Sequence, residues 1–166
     1  MSARVSTVHD SAAGVADVHR VLSGPGWAAA KALHLKDSSR VVERVERPDG
    51  GVLLVLSREL PPGAPGFLER FLPKDGKVLT RDDWGPETDG VRRGTWSVEL
   101  PGTPARLGGA LLLEPTATGS RYTITGEVKV SVPLIGGKAE TFIAGMVERL
   151  AVKEAEVLEA ELTCRS

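Results

Sequence analysis

From Lys138 to Leu162 the chain runs without a proline and with a single glycine, Gly145. Over that stretch Ala139, Phe142, Ile143, Met146, Val147, Leu150, Val157, Leu158 and Leu162 recur at helical spacing, opposite a dense charged face. A helix of about 25 residues is about 37 Å long, enough to cross a whole sheet diagonally. Its apolar stripe has to be buried along that length, and a suitable surface comes just before it. Between Gly119 and Val132, the residues Tyr122, Ile124, Gly126, Val128, Val130 and Val132 alternate with Thr123, Thr125, Glu127, Lys129 and Ser131. That is the clearest two-residue period in the chain, and it predicts a strand with one apolar face. Pro133 to Gly137 separates the two elements.

The upstream segments extend this α+β pattern. Val5 to His9 alternates well enough for a first strand, and Ser11 offers an N-cap hydroxyl to a helix carrying Val15, Val18 and Leu22. Ser23-Gly24-Pro25-Gly26 stops that helix, and Trp27 to Leu35 reads as a second. Val41 to Arg47 and Val52 to Leu60 are strands joined by the hairpin turn Pro48-Asp49-Gly50-Gly51. After the breaker Pro61 to Gly66 and a helical turn over Phe67 to Leu72, three more strands follow: Lys77 to Gly85, Val91 to Leu100 and Ala105 to Glu114. The expected order is one strand, two helices, six strands and a long helix. No repeat or linker divides it, so residues 1–166 read as a single domain.

Charge and cysteine usage exclude several classes of function. A formal net charge of -1 gives no electrostatic reason to expect nucleic acid or an anionic membrane as partner. The longest aliphatic stretch, Val52 to Leu56, is far below the ~20 residues of a membrane helix. No signal-peptide pattern occupies the first residues, and the lone Cys164 allows no intramolecular disulfide, so a cytoplasmic protein is expected.

No catalytic or metal motif stands out. His9, His19 and His34 lie too far apart for the local spacings of a zinc site, and no cofactor motif occurs. Gly136-Gly137-Lys138 lacks both the first glycine and the Ser or Thr of a phosphate loop, and reads as the turn that starts the last helix. Asp82 and Asp83 are adjacent on a strand, so they face opposite ways and cannot form one acid-base pair. Lys153-Glu154-Ala155-Glu156 and Glu159-Ala160-Glu161 read as the solvated face of the long helix.

The element order, together with Arg70 to Trp84 (RFLPKDGKVLTRDDW), Gly94 to Pro104 (GTWSVELPGTP) and Gly126 to Glu140 (GEVKVSVPLIGGKAE), resembles the START-related SRPBCC superfamily. This superfamily includes the birch-pollen-allergen-like proteins and the polyketide cyclases. Within it, the segments are similar to an uncharacterised bacterial family classed as a domain of unknown function. The resemblance implies a helix-grip fold, in which a seven-stranded antiparallel sheet curves around the C-terminal helix. It also implies a cavity between them that in relatives holds lipids, sterols or polyketides; it carries over no catalytic residue.

On this expectation the ligand-facing positions are Leu56, Arg58, Trp96, Val98, Leu111, Leu113, Val128, Phe142, Met146 and Leu150. Each of these also suits an ordinary core, and that alternative stays open. Arg58 shares a strand face with Leu54 and Leu56, where it needs an anion. A ligand carboxylate, Glu69 or an aspartate of the neighbouring strand would each supply one. Carriage of a small hydrophobic molecule is the leading expectation. The rivals are a cyclase or aromatase-like enzyme, and a protein-binding module using a sheet edge or the Pro61 to Gly66 loop.

Overall fold

The computed structural model describes residues 2–60 and 65–164. Strand β1 (Ala3–Ser11) leads into helices α1 (Val15–Leu22) and α2 (Trp27–Leu35). There follow β2 (Arg40–Glu46), β3 (Val52–Glu59), a 3-10 turn at Gly66–Phe71, β4 (Lys77–Trp84), β5 (Arg92–Glu99), β6 (Ala105–Thr116) and β7 (Gly119–Val130). Helix α3 (Gly136–Cys164) is the last described element. The order matches the expectation, and the boundaries shift by up to two residues. Of the Pro61 to Gly66 breaker, residues 61–64 lie outside the described residues.

Strands β2 to β7 form an antiparallel meander, and β1 adds to its far edge by pairing with β7, which gives the order β1-β7-β6-β5-β4-β3-β2. The two edges, β1 and β2, are therefore joined by the α1–α2 connection. The inner face is set by register. Val5 stands opposite Gly126, Gly126 opposite Gly109, Gly109 opposite Trp96, and Trp96 opposite Asp82. At the Gly109–Gly126 pair the two strands approach so closely that a Cβ on Gly109 would run into the backbone of Thr125 and Gly126. Trp96 lies across this site and donates from Nε1 to the Thr125 carbonyl at 2.9 Å. The bare pair lets the sheet bend, and the indole refills the surface that the glycines leave open.

Helix α3 packs on β1 and β7 with Ala139, Ile143, Ala144, Val157 and Leu158 buried. On β7, Val128 and Val130 are buried and Thr125, Glu127 and Lys129 lie on the more accessible face, as the alternation requires; Tyr122 and Ile124 are half-buried.

Two local expectations fail. Ser11 is not the cap of α1: Gly14 is, with no side-chain cap bond, because the strand continues through Ser11, which pairs with Ser120. Nor is the charged face of α3 wholly solvated, since Glu154 and Glu159 bond to the body of the protein. Glu154 falls one turn before Leu158 and one after Leu150, on the row that docks.

Candidate functional site

A cavity of about 510 Å³ lies where the bent sheet and the C-terminal half of α3 diverge. Its floor is Thr7 and His9 of β1, Tyr122 and Ile124 of β7 and Asp82 of β4, with Leu22 of α1 and Trp27 of α2 closing the end. The roof is the face of α3 from Ala151 to Glu159. Ala151 and Ala155 stand one helical turn apart on that face, so the helix presents two methyl groups where larger side chains would fill the space. Val8 and Val152, 60% and 59% exposed, form an apolar rim.

Behind this wall sits a chain of ion pairs. Glu154 Oε1 accepts from Lys31 Nζ at 3.1 Å and from an Arg58 guanidinium nitrogen at 3.3 Å, and Arg58 also reaches Asp37 Oδ2 at 2.8 Å. The side chains of Lys31 and Arg58 are 6% and 10% exposed, so these cations depend on the carboxylates for stabilisation. Lys31 further lies 5.4 Å from the Trp27 ring centre. The anion that Arg58 needs thus comes from the α2–β2 connection and from α3. Neither Glu69 nor a neighbouring-strand aspartate supplies it.

Asp82 is different. It lines the cavity, yet it makes no hydrogen bond or ion pair with a described residue. Desolvation pushes its pKa up from 3.8 to about 6; the Lys31 charge opposes the rise and Glu154 adds to it. Across the floor, the Tyr122 hydroxyl is also without a hydrogen-bond partner among the described residues. Burial raises its pKa well above the usual phenol value, with the charges of Asp82 and Glu154 adding to the shift. Its ring stacks at a tilt 6.0 Å from that of Trp84. At the mouth, Glu159 accepts a hydrogen bond from Ser11 and lies 3.7 Å from His9 Nε2. Asp83 points to the other side of the sheet and pairs with Arg47, so the two adjacent aspartates do diverge.

None of the ten positions read from the sequence is part of this cavity's lining. Leu56, Trp96, Leu111, Leu113 and Val128 are buried in the main core, and Val98 and Phe142 pack half-buried against it. Met146 and Leu150 are half-buried on α3, before the roof begins. Arg58 is held by its ion pairs.

The cavity groups that sequence reasoning passed over are Asp82, Glu154 and Trp27. For Asp82 the signal was parity with Val78 and Trp84, both buried on the same face of β4. For Glu154 it was the helical row through Leu158.

A second, more open groove of about 670 Å³ runs between the α1–α2 turn and the β2–β3 hairpin. Its arginines are all engaged within the chain: Arg20 by Asp17, Arg44 by Glu46, Arg47 by Asp83 and Arg92 by the carbonyls of Gly50 and Gly85. This groove has one buried polar atom without a hydrogen-bond partner among the described residues, His19 Nε2, whereas the cavity combines His9 Nε2 with Asp82 and the Tyr122 hydroxyl, which is why the cavity is the candidate site. Among the described residues, no helix is long and apolar enough to cross a membrane.

Comparison with known proteins agrees with this architecture. A profile for a family described as a protein of unknown function, DUF2505, matches residues 6–162. The uncharacterised protein Rv0481c of Mycobacterium tuberculosis is 29% identical over 92 residues, covering 54% of this chain and 53% of that protein. The chain thus spans about half the length of the curated relatives it matches.

Among solved structures, TTHA0849 of Thermus thermophilus superposes with a TM-score of 0.64 at 16% identity, over 99% of both chains. The di-domain ARO/CYC StfQ of the steffimycin biosynthetic pathway gives 0.65 at 15% identity, over 99% of this chain and 52% of StfQ. A norcoclaurine synthase point mutant of Thalictrum flavum gives 0.59 at 18% identity, over 100% and 99%. These structures share with the chain the helix-grip fold, a curved antiparallel sheet packed on a long C-terminal helix. At these identities the likeness concerns fold alone.

Proposed function

The chain belongs to the DUF2505 family of unknown function, and we propose that it binds a small, largely apolar molecule in the cavity between its sheet and its C-terminal helix. The observation that carries this reading is the cavity of about 510 Å³, walled by Leu22, Trp27, Ile124 and Leu158 and containing Asp82, the Tyr122 hydroxyl and His9 Nε2, none with a hydrogen-bond partner among the described residues. Concave apolar space with a few convergent polar groups is what small-molecule sites have in common. In this reading Leu56, Trp96, Leu111, Leu113 and Val128 give the floor a rigid backing, and Phe142, Met146 and Leu150 anchor the helix that roofs it. Arg58 holds Glu154 in place.

Native mass spectrometry of protein purified from its own cells tests the proposal. A retained small molecule that is lost on denaturation is the expected result; a retained polypeptide in its place overturns it in favour of a protein-binding role.

A second reading, catalysis of the cyclase kind, is favoured by one observation. An enzyme on this scaffold needs an inward titratable group, and Asp82 is one, with a pKa of about 6 that suits proton transfer near neutrality. Conversion of the retained molecule to a product of different mass or retention time by wild type, and not by Asp82→Asn, would select this reading over simple carriage.

A further inference from the structure

The charges of the cavity wall are all of one kind. Asp82, Glu154, Glu156 and Glu159 contribute to the lining, and neither lysine nor arginine does. Three of these carboxylates are accounted for. Glu154 is neutralised from behind by Lys31 and Arg58, Glu159 is bonded to Ser11 beside His9, and Glu156 is exposed at the mouth. Within the buried chain of ion pairs, the cations Lys31 and Arg58 balance the anions Asp37 and Glu154. Asp82 therefore stands as an extra negative charge in a lining that also includes Trp27 and Ile124, with no donor from the described residues directed at it.

We infer that the cavity selects a protonated amine: an apolar molecule with one ammonium group, whose charge meets Asp82 and whose hydrocarbon body lies against Trp27, Ile124 and Leu158. This rests on the proposed ligand-binding role and adds the chemical class of the ligand. A carboxylate-bearing ligand would bring a further negative charge into a site that already holds one too many, and a neutral hydrocarbon would bury Asp82 without a partner. An ammonium supplies both the missing charge and the missing donors. Its N–H groups can donate to Asp82, and the Trp27 and Tyr122 rings of the same lining favour a cation near their faces. The groups facing Asp82 from the elements around it are Lys31 of α2, Glu154 of α3, Tyr122 of β7 and, toward the mouth, His9 of β1 and Glu159 of α3.

The test compares three probes of one shape on the intact chain by calorimetric titration: 2-naphthylmethylamine, 2-naphthalenemethanol and 2-naphthoate. Near pH 7.5 the amine should bind at least about tenfold more tightly than the alcohol, with the carboxylate weakest. In Asp82→Asn the preference for the amine should disappear. In wild type, moving from about pH 7.5 to about pH 5 should weaken amine binding about tenfold, because Asp82 takes up a proton through a pKa of about 6 while the amine stays cationic. Asp82→Asn should show no such loss; a loss that survives the substitution overturns the role of Asp82. Alcohol or carboxylate binding as tightly as the amine overturns the inference and leaves the cavity reading standing. Failure of all three probes to bind overturns both. If Asp82→Asn does not fold, Asp82→Ser and the wild-type pH series discriminate between the same outcomes.

Discussion

Replacing Asp82, a half-buried residue of β4, by asparagine should make the protein more stable near neutral pH. The reason is linkage. The pKa of Asp82 is about 6 in the folded protein against 3.8 for the unperturbed group. Between those values the native state holds a proton that the unfolded chain has released, so stability falls as pH rises through this window. At pH 7.5 both states are ionised, and the full cost of a shift of this size is ~3 kcal/mol relative to a neutral group at the same place. Near pH 4.5 the same relation leaves ~1 kcal/mol. For a chain of this length ~3 kcal/mol corresponds to a rise in Tm of roughly 6–12 °C.

Urea titrations of wild type and Asp82→Asn at both pH values measure the difference directly. The expected result is a variant that is more stable at pH 7.5, with an advantage that shrinks by about two thirds at the lower pH. A variant less stable than wild type at pH 7.5, or a difference independent of pH, would refute the reasoning, since either would mean that Asp82 has a partner in the fold. The cost is also what links stability to function here: a ligand cation at Asp82 would remove it.

Glu154→Leu should destabilise the fold by ~3–5 kcal/mol, because it strips Lys31 of its carboxylate and leaves Arg58 with Asp37 alone; adding Lys31→Met should recover part of that loss, as chemical denaturation of the single and double variants will show. Gly109→Ala should cost ~1–3 kcal/mol or more, since its methyl group would meet the backbone of Thr125 and Gly126 at the bend of the sheet; an unchanged Tm would mean that the bend does not depend on this close approach.

The sheet was legible in the sequence because most strands carry a plain two-residue period between strong turn signals. Val128 and Val130 are buried beside the more accessible Glu127 and Lys129, as the alternation requires. The long helix was legible from its own helical period and lack of breakers, with Ile143 and Leu158 both on the docked side. The cavity was less so. It lies under Ala151 and Ala155, one and five residues after Leu150, and small residues on a helix give no sequence signal that distinguishes a close contact from a space.

Asp82 and Asp83 were correctly assigned to opposite faces. Which of them faces in depends on Trp84 being the inner residue, something adjacent aspartates cannot reveal. The partner of Arg58 depends on tertiary proximity. Asp37 lies in the connection after α2, and no local pattern places that connection against β3. Glu154 was readable by its row and was misread by its type, because a carboxylate in a charged run is usually solvated.

The central claim is that the space under the C-terminal half of α3 is a ligand site, and Ala155→Trp tests it most directly. Ala155 is half-buried and lines the roof, so an indole there would fill the cavity from the helix side without displacing the buried row of Ile143, Val157 and Leu158. The measurement is binding of 2-naphthylmethylamine to wild type and variant, with thermal melting of both. The account predicts that wild type binds the probe, and that Ala155→Trp loses binding while its Tm stays within a few degrees of wild type. A variant that binds the probe as well as wild type, or a wild type that binds none while Ala155→Trp is strongly destabilised by overpacking, would contradict it.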